Sequence, residues 1–328
     1  MKDIHWIFFL MTSVFFVGCE SSDSESDDVV VDAPYNWEQH VPFTTDYQIF
    51  SMPFTEDFNP VPQEKGEVAL SEASGLAFSI KNEDMIWSHN DSGNANILFL
   101  INAKTGEIMA RYTIMGTSNL DWEDMEITID SVTGEPYVYI ADIGDNSESR
   151  SVYAIYRFKE PQYDSEHYGR NIQWSPEDLS RINLTYPDGS HDAESLLVDP
   201  VTKDIYLVTK RDYLSTLYVL PFPYKTESVN TMYKAGVFSF RDASAGTVSL
   251  DGTKIMIKNR QDIFYWKHNP NQYLWKTLAQ TPVKAPYAGE PQGEAVAFDI
   301  DNNYFTLSEA LNNNTKPILY KYIYLNNK

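Results

Sequence analysis

Only one cysteine, Cys19, occurs in the 328 residues. Such a chain has no disulfide framework and no thiolate metal site. Basic residues are scarce as well: 25 Lys and Arg stand against 47 Asp and Glu, a net charge of -22. Nucleic acid needs Lys and Arg patches for its phosphates, so this balance excludes it as a partner. It also excludes peripheral docking on anionic lipid and favours cations, or neutral and basic ligands. Six histidines are present with no His-x-His or His-x-x-x-His pair, which argues against zinc. No nucleophile elbow, ordered Ser/His/Asp set or phosphate loop appears. The apolar run Ile7 to Phe16 is too short for a permanent membrane span.

What the chain does contain is a repeat. Glu72-Ala-Ser-Gly-Leu-Ala-Phe, Glu123-Asp-Met-Glu-Ile-Thr-Ile, Glu194-Ser-Leu-Leu-Val-Asp, Ser244-Ala-Gly-Thr-Val-Ser-Leu and Glu294-Ala-Val-Ala-Phe-Asp are variants of one phrase. Registered on Ser74, Glu123, Glu194, Ser244 and Glu294, they are spaced 49, 71, 50 and 50 residues apart. Each leads into a short apolar strand, followed by further β-like runs and polar turns. A period near 50 with several strands per unit is the signature of a β-propeller. The fold class read from the sequence is all-β: a propeller of five blades, with room for a sixth in the 71-residue interval. The fifth unit stops one strand short, and Tyr47–Met52 is expected to supply that strand and close the ring. Tyr273–Leu278 is expected as the last strand of unit four, and Arg181–Leu184 as that of unit two.

Three segments precede or make up this domain. Lys2, the apolar run and Val17-Gly18-Cys19 resemble the signal peptide and lipobox of bacterial lipoproteins over residues 1–18, with Cys19 lipidated and tied to a membrane. Residues 19–34, acidic and Ser-rich, read as a disordered tether. The acidic run after Cys19 also resembles an export signal for the outer face of the outer membrane, with a periplasm-facing anchor as the alternative. The β-propeller domain is expected over 35–328, as a monomer.

Propeller topology brings distant residues together. The start of each innermost strand shares a face with the loop joining the second and third strands. That places Glu123, Asp124, His191, Asp192, Glu194, Gln292 and Glu294 beside His89-Asn90-Asp91, Asp142 to Asn146, Lys210-Arg211, Arg260 and Glu309. Like charges crowded at a channel raise one another's pKa unless a cation or hydrogen bonds intervene. Three readings follow. A divalent cation, Ca²⁺ foremost, could take Asn90, Asp91, Asp142 and Asp145, whose loops lack EF-hand spacing and are also plain turn formers. A glycosidase- or esterase-like hydrolase could use Glu123, Glu194 and Glu294, with Lys210 and Arg260 positioning an anionic group. The recurrent glutamates could instead hold neighbouring blades in register. Contacts to a glycan or small molecule would then fall to His89, Asp124, His191, Asp192, Arg211, Gln292 and Glu309. Trp87, Trp122 and Trp266 are either stacking platforms for such a ligand or buried between blades.

Several phrases together carry a family resemblance: Trp87-Ser-His-Asn-Asp-Ser-Gly, Asp121-Trp-Glu-Asp, Ala141-Asp-Ile-Gly-Asp-Asn, Asp192-Ala-Glu-Ser-Leu-Leu-Val-Asp-Pro200 and Pro291-Gln-Gly-Glu-Ala295. Over about residues 70 to 310 the chain resembles a family of secreted bacterial β-propeller proteins, loosely grouped with phytase-like and lactonase-like propellers. The resemblance implies the propeller fold and a functional acidic face, and brings no established reaction. Its departure from calcium-dependent phytases is a channel face poor in Lys and Arg. The lactonase-like comparison implies a channel metal held by Glu, Asn and Asp, parts that Glu294 and Asn90 or Asn146 could play.

Overall fold

A computed structural model describes residues 35–312 and 314–325. The signal peptide, Cys19 and the acidic tether fall outside the described residues. Five antiparallel sheets stand around a common axis, and their first strands are Ala73–Phe78, Trp122–Ile129, Ala193–Val198, Ala245–Val248 and Gly293–Phe298. These five inner strands contact one another in sequence order and back to the first, so the ring is closed. It is a five-bladed β-propeller. One apolar cluster fills each seam between blades, such as Trp87, Trp122, Met125 and Tyr156 between blades one and two. Trp87, Trp122 and Trp266 are all buried in these seams, so none is a stacking platform.

Three expectations change in detail. The ring is closed by an N-terminal strand, but that strand is Gln63–Glu67, antiparallel to Ile318–Tyr322. Its residues are polar because the outermost strand of a blade has little to bury, so it carries no apolar alternation to be read. Residues 49–51 form a 3₁₀ turn, and Phe43–Thr44 instead pairs in parallel with the outer strand Tyr233–Val237 of blade three. Leu274–Leu278 is a short helix, because Leu274 and Leu278 four residues apart bury one helical face. Val283–Ala285 takes the fourth place in blade four. Finally, the long interval holds no sixth blade. It supplies Ser180–Thr185 to blade two and Asn171–Trp174, which lies parallel on blade one.

Two acids of blade two cross the axis. Asp124 Oδ2 accepts the backbone N–H groups of Leu196 (2.8 Å) and Gly246 (2.9 Å), from blades three and four. Glu126 Oε2 accepts Val248 N–H at 3.0 Å. Both acids are buried. Burial pushes Asp124 well above the carboxylate range and Glu126 up to about 8, while the donated N–H groups pull the other way. A buried N–H stripped of its acceptor costs about 1–3 kcal/mol. Asp124→Ala removes the acceptor of the Leu196 and Gly246 N–H groups and of Met125 N–H, so it is expected to lower stability by roughly 2–5 kcal/mol, read as a drop in the melting midpoint. Asp124→Asn keeps an acceptor oxygen and should recover most of the loss. An alanine variant melting with the wild type would show that this staple holds nothing.

Candidate functional site at the channel mouth

The inner strands share a local irregularity. In blade two Trp122 lies opposite Asp142 and Asp124 opposite Ala141, which leaves Glu123 as an extra, unpaired residue. Glu194 and Glu294 hold the same bulge position in blades three and five, and Gly75 holds it in blade one. Blade four pairs without interruption. The registration on Ser74 and Ser244 is therefore corrected by one residue, with Gly75 as the true equivalent and none in blade four. A bulge re-aims its extra side chain out of the ladder, which turns three glutamates toward the axis. Gly75 has φ 67°, and a Cβ there would press on His89 Nε2 and the Asp124–Met125 backbone.

Two groups of carboxylates meet at this mouth. Asp91, Asp121 and Glu123 have oxygens within 4.8 Å of one another, and so do Glu123, Asp192 and Glu194. Glu123 belongs to both. At an effective dielectric of about 20, two full charges at that separation repel by roughly 3.5 kcal/mol. Cations answer only part of this. Lys210 Nζ pairs with Glu194 and lies 3.6 Å from Glu294. Arg211 Nε is 2.7 Å from Asp192, and an Arg260 nitrogen is 3.7 Å from Glu294. Among the described residues no ion pair reaches Asp91, Asp121 or Glu123, and no hydrogen-bond donor reaches the Glu123 carboxylate. One oxygen of Asp121 is buried without a partner. Gly144 packs against Glu123 and Asp121 so closely that any Cβ would overlap their oxygens.

The acids respond as crowding in a poor solvent requires. Burial, then the Asp91 and Asp192 charges, pushes Asp121 up to about 6. Burial, then Glu194, Asp91 and Asp121, holds Glu123 well above its ordinary range. Glu194 rises to about 8 through burial, against the pull of Lys210. Glu309, which accepts from Gln292 Nε2, rises to about 7 through burial and the charges of Glu294 and Asp91. Burial opposes the Lys210 ammonium, but Glu194 and Glu294 outweigh it and raise its pKa.

Other expected site residues serve elsewhere. Asp142 pairs with Arg150 at 2.8 Å, and Asp145 accepts from Arg150 N–H and Tyr153 Oη, so this loop is tied to its own arginine. Neither acid joins the grouped carboxylates. His89, fully buried, packs edge-on to Trp122, and burial lowers its pKa to about 4. His89, expected to touch ligand, is thus sealed inside a seam, and Asp124, also expected to touch ligand, is buried across the axis and taken up by backbone N–H groups of blades three and four. His191 is held between Asp212 (3.0 Å) and Asp188 (3.1 Å). Asn90 adjoins Asp91, and its Oδ1 is buried without a partner. Asp121 and Gly144 matter more than their motifs suggested. Both stand in the phrases Asp121-Trp-Glu-Asp and Asp142-Ile-Gly-Asp145, but only packing shows that Gly144 is a wall of the cluster.

Raised carboxyl pKa values have a stability consequence. Between the unfolded and folded values the native state holds more protons, so stability falls as pH rises. Glu194 and Glu126 at about 8 and Glu309 at about 7 act across pH 6.5 to 8. The depressed His89 and His268, both near 4, act oppositely only below about 6.5. The cation-free protein is therefore expected to lose several degrees of melting temperature between pH 6.5 and 8. A flat or rising profile there would contradict the crowding.

No family model matches the chain, and no curated protein matches it. Solved structures do. A nidogen/laminin complex aligns with 73% of this chain and 73% of its own at 12% identity and a TM-score of 0.42. The Dos1 propeller aligns with 78% of this chain and 68% of its own, at 13% identity and 0.35. A Trichoderma reesei carbohydrate-active enzyme of family AA12 aligns with 84% of this chain and 99% of its own, at 10% identity and 0.46. Identities this low speak to fold alone.

Proposed function

We propose that the channel mouth binds a divalent cation, Ca²⁺ by preference, and that the protein works as a ligand-binding propeller displayed by a lipid anchor on Cys19. The observation that carries this is the under-compensated charge: Asp91, Asp121 and Glu123 converge within 4.8 Å with no ion pair to any of them among the described residues, Lys210 and Arg150 acting only from farther off. Either shared protons or a metal ion must relieve it. Carboxylates from loops of different blades suit Ca²⁺, which accepts six to eight oxygens at about 2.3–2.6 Å in loose geometry, better than Mg²⁺, which demands a tight octahedron. Asp192 and Glu194 extend the donor set through Glu123, and the unpartnered Asn90 oxygen stands next to Asp91. Surface display at the outer membrane rests on the lipobox and acidic run of the sequence.

A hydrolase is the second reading, favoured by Glu194 and Glu309 titrating near 8 and 7, where a carboxyl can still give up a proton in neutral solution. The two readings part on mutation, since only an enzyme loses turnover of a lactone or phosphate ester in Glu194→Gln while it remains folded.

Thermal unfolding in EDTA, followed by addition of Ca²⁺, Mg²⁺, Mn²⁺ or Zn²⁺, tests the cation site. At a hundred times its dissociation constant a bound ion adds about 2.7 kcal/mol. Ca²⁺ is expected to raise the melting midpoint by several degrees in the wild type and not in Glu123→Gln. Equal shifts in both proteins, or none with any ion, would remove the metal from the account.

A further inference from the structure

Beside the acidic cluster, on the same face, lies a cavity of about 530 Å³ of opposite character. Its charged lining is Lys210, Arg211, Arg241 and Arg260 against Asp242 and Asp262. On a chain of net charge -22, four of the 25 Lys and Arg converge here. The arginines come from three loops of two adjacent blades. Arg211 follows Ile205–Thr209 in blade three, Arg241 precedes the inner strand of blade four, and Arg260 follows Lys254–Lys258. Asn259 ties two of these loops together. Its Nδ2 donates to Arg241 C=O at 3.2 Å, and its Oδ1 accepts Gln261 and Asp262 N–H.

The guanidinium groups are anchored by one edge and open on the other. Arg241 uses Nε on its neighbour Asp242 at 3.0 Å, and its two terminal nitrogens take no partner among the described residues. Arg211 uses Nε on Asp192 and one terminal nitrogen on Asn146. Arg260 stands 3.7 Å from Glu294, beyond hydrogen-bond reach. Asp262 is neutralised from outside the cavity by Lys284 at 2.8 Å. Free fork edges of this kind match a carboxylate or phosphate. The remaining wall is apolar: Ile49 and the fully exposed Phe50, on the 3₁₀ turn that replaces the expected strand. Phe50 thus offers an apolar ring face directly beside the arginines, where a ligand ring would lie.

We infer that this cavity is an anion subsite taking a small ring compound that bears one carboxylate or phosphate, gripped by the arginines with its ring against Phe50. It does not depend on the cation, and a measurement in EDTA separates the two. Calorimetric titration of the full chain in EDTA at low salt would use glucuronate, glucose 6-phosphate and glucose. At least one of the two anions is expected to bind, with affinity falling as salt rises, and the one that binds names the group recognised. Glucose is expected not to bind. Arg241→Ala, whose side chain pairs only with its exposed neighbour, should weaken the anion roughly ten-fold or more. Phe50→Ala should weaken it as well, both variants keeping the wild-type melting temperature. Silence from both anions, equal binding of glucose, or unchanged affinity in Arg241→Ala would overturn the inference.

Discussion

Asp124 sits where the five inner strands come nearest one another, and its carboxylate receives backbone N–H groups from two other blades. Much of the molecule depends on that arrangement. A closed ring of strands has no free edge, but buried N–H groups of its inner strands still need acceptors. One acid reaching across gives those N–H groups an acceptor, and Glu126 repeats the device one step along the same strand. Two carboxyl groups are thus placed in the interior by the backbone's need for acceptors.

The mouth adds a second set of acids above these two. The bulges of blades two, three and five turn Glu123, Glu194 and Glu294 inward, and loops bring Asp91, Asp121 and Asp192 to meet them. Lys210, Arg211 and Arg260 pair with the blade-three and blade-five acids, while Asp91, Asp121 and Glu123 have no ion pair among the described residues. The face is therefore polarised. One side is acidic, and the other is walled by arginines and Phe50. A ligand that carries an anion beside a bound metal ion would satisfy both halves at once.

The sequence displays the repeat, the five blades and the shared face of the acidic loops, because inner strands are buried on both sides and keep an apolar, regular signature. Elements with little to bury leave none. Gln63–Glu67 reads as a polar loop yet closes the ring, and Asn171–Trp174 gains its strand character only by lying against blade one. Recurrence marked Glu123, Glu194 and Glu294 correctly as a set. It could not show that Gly75 is their fourth counterpart, since a bulge is a feature of pairing and not of composition. His89 and Asp124 stand in the same phrases as the mouth residues, but His89 turns into a seam against Trp122 and Asp124 is spent on the backbone of blades three and four. Arg241 obeys the same topological rule as the acids but stands in no recurrent phrase.

The most direct measurement is anomalous X-ray diffraction from crystals of the protein grown with Mn²⁺ as a scattering stand-in for the bound cation. A peak touching the Glu123 carboxylate, with Asp91 and Asp121 or Asp192 and Glu194 completing its shell, is the predicted result. A clean map with no peak at the mouth, and Glu123 oxygens drawn into hydrogen-bonding distance of a neighbouring carboxyl, would mean that shared protons alone balance the cluster.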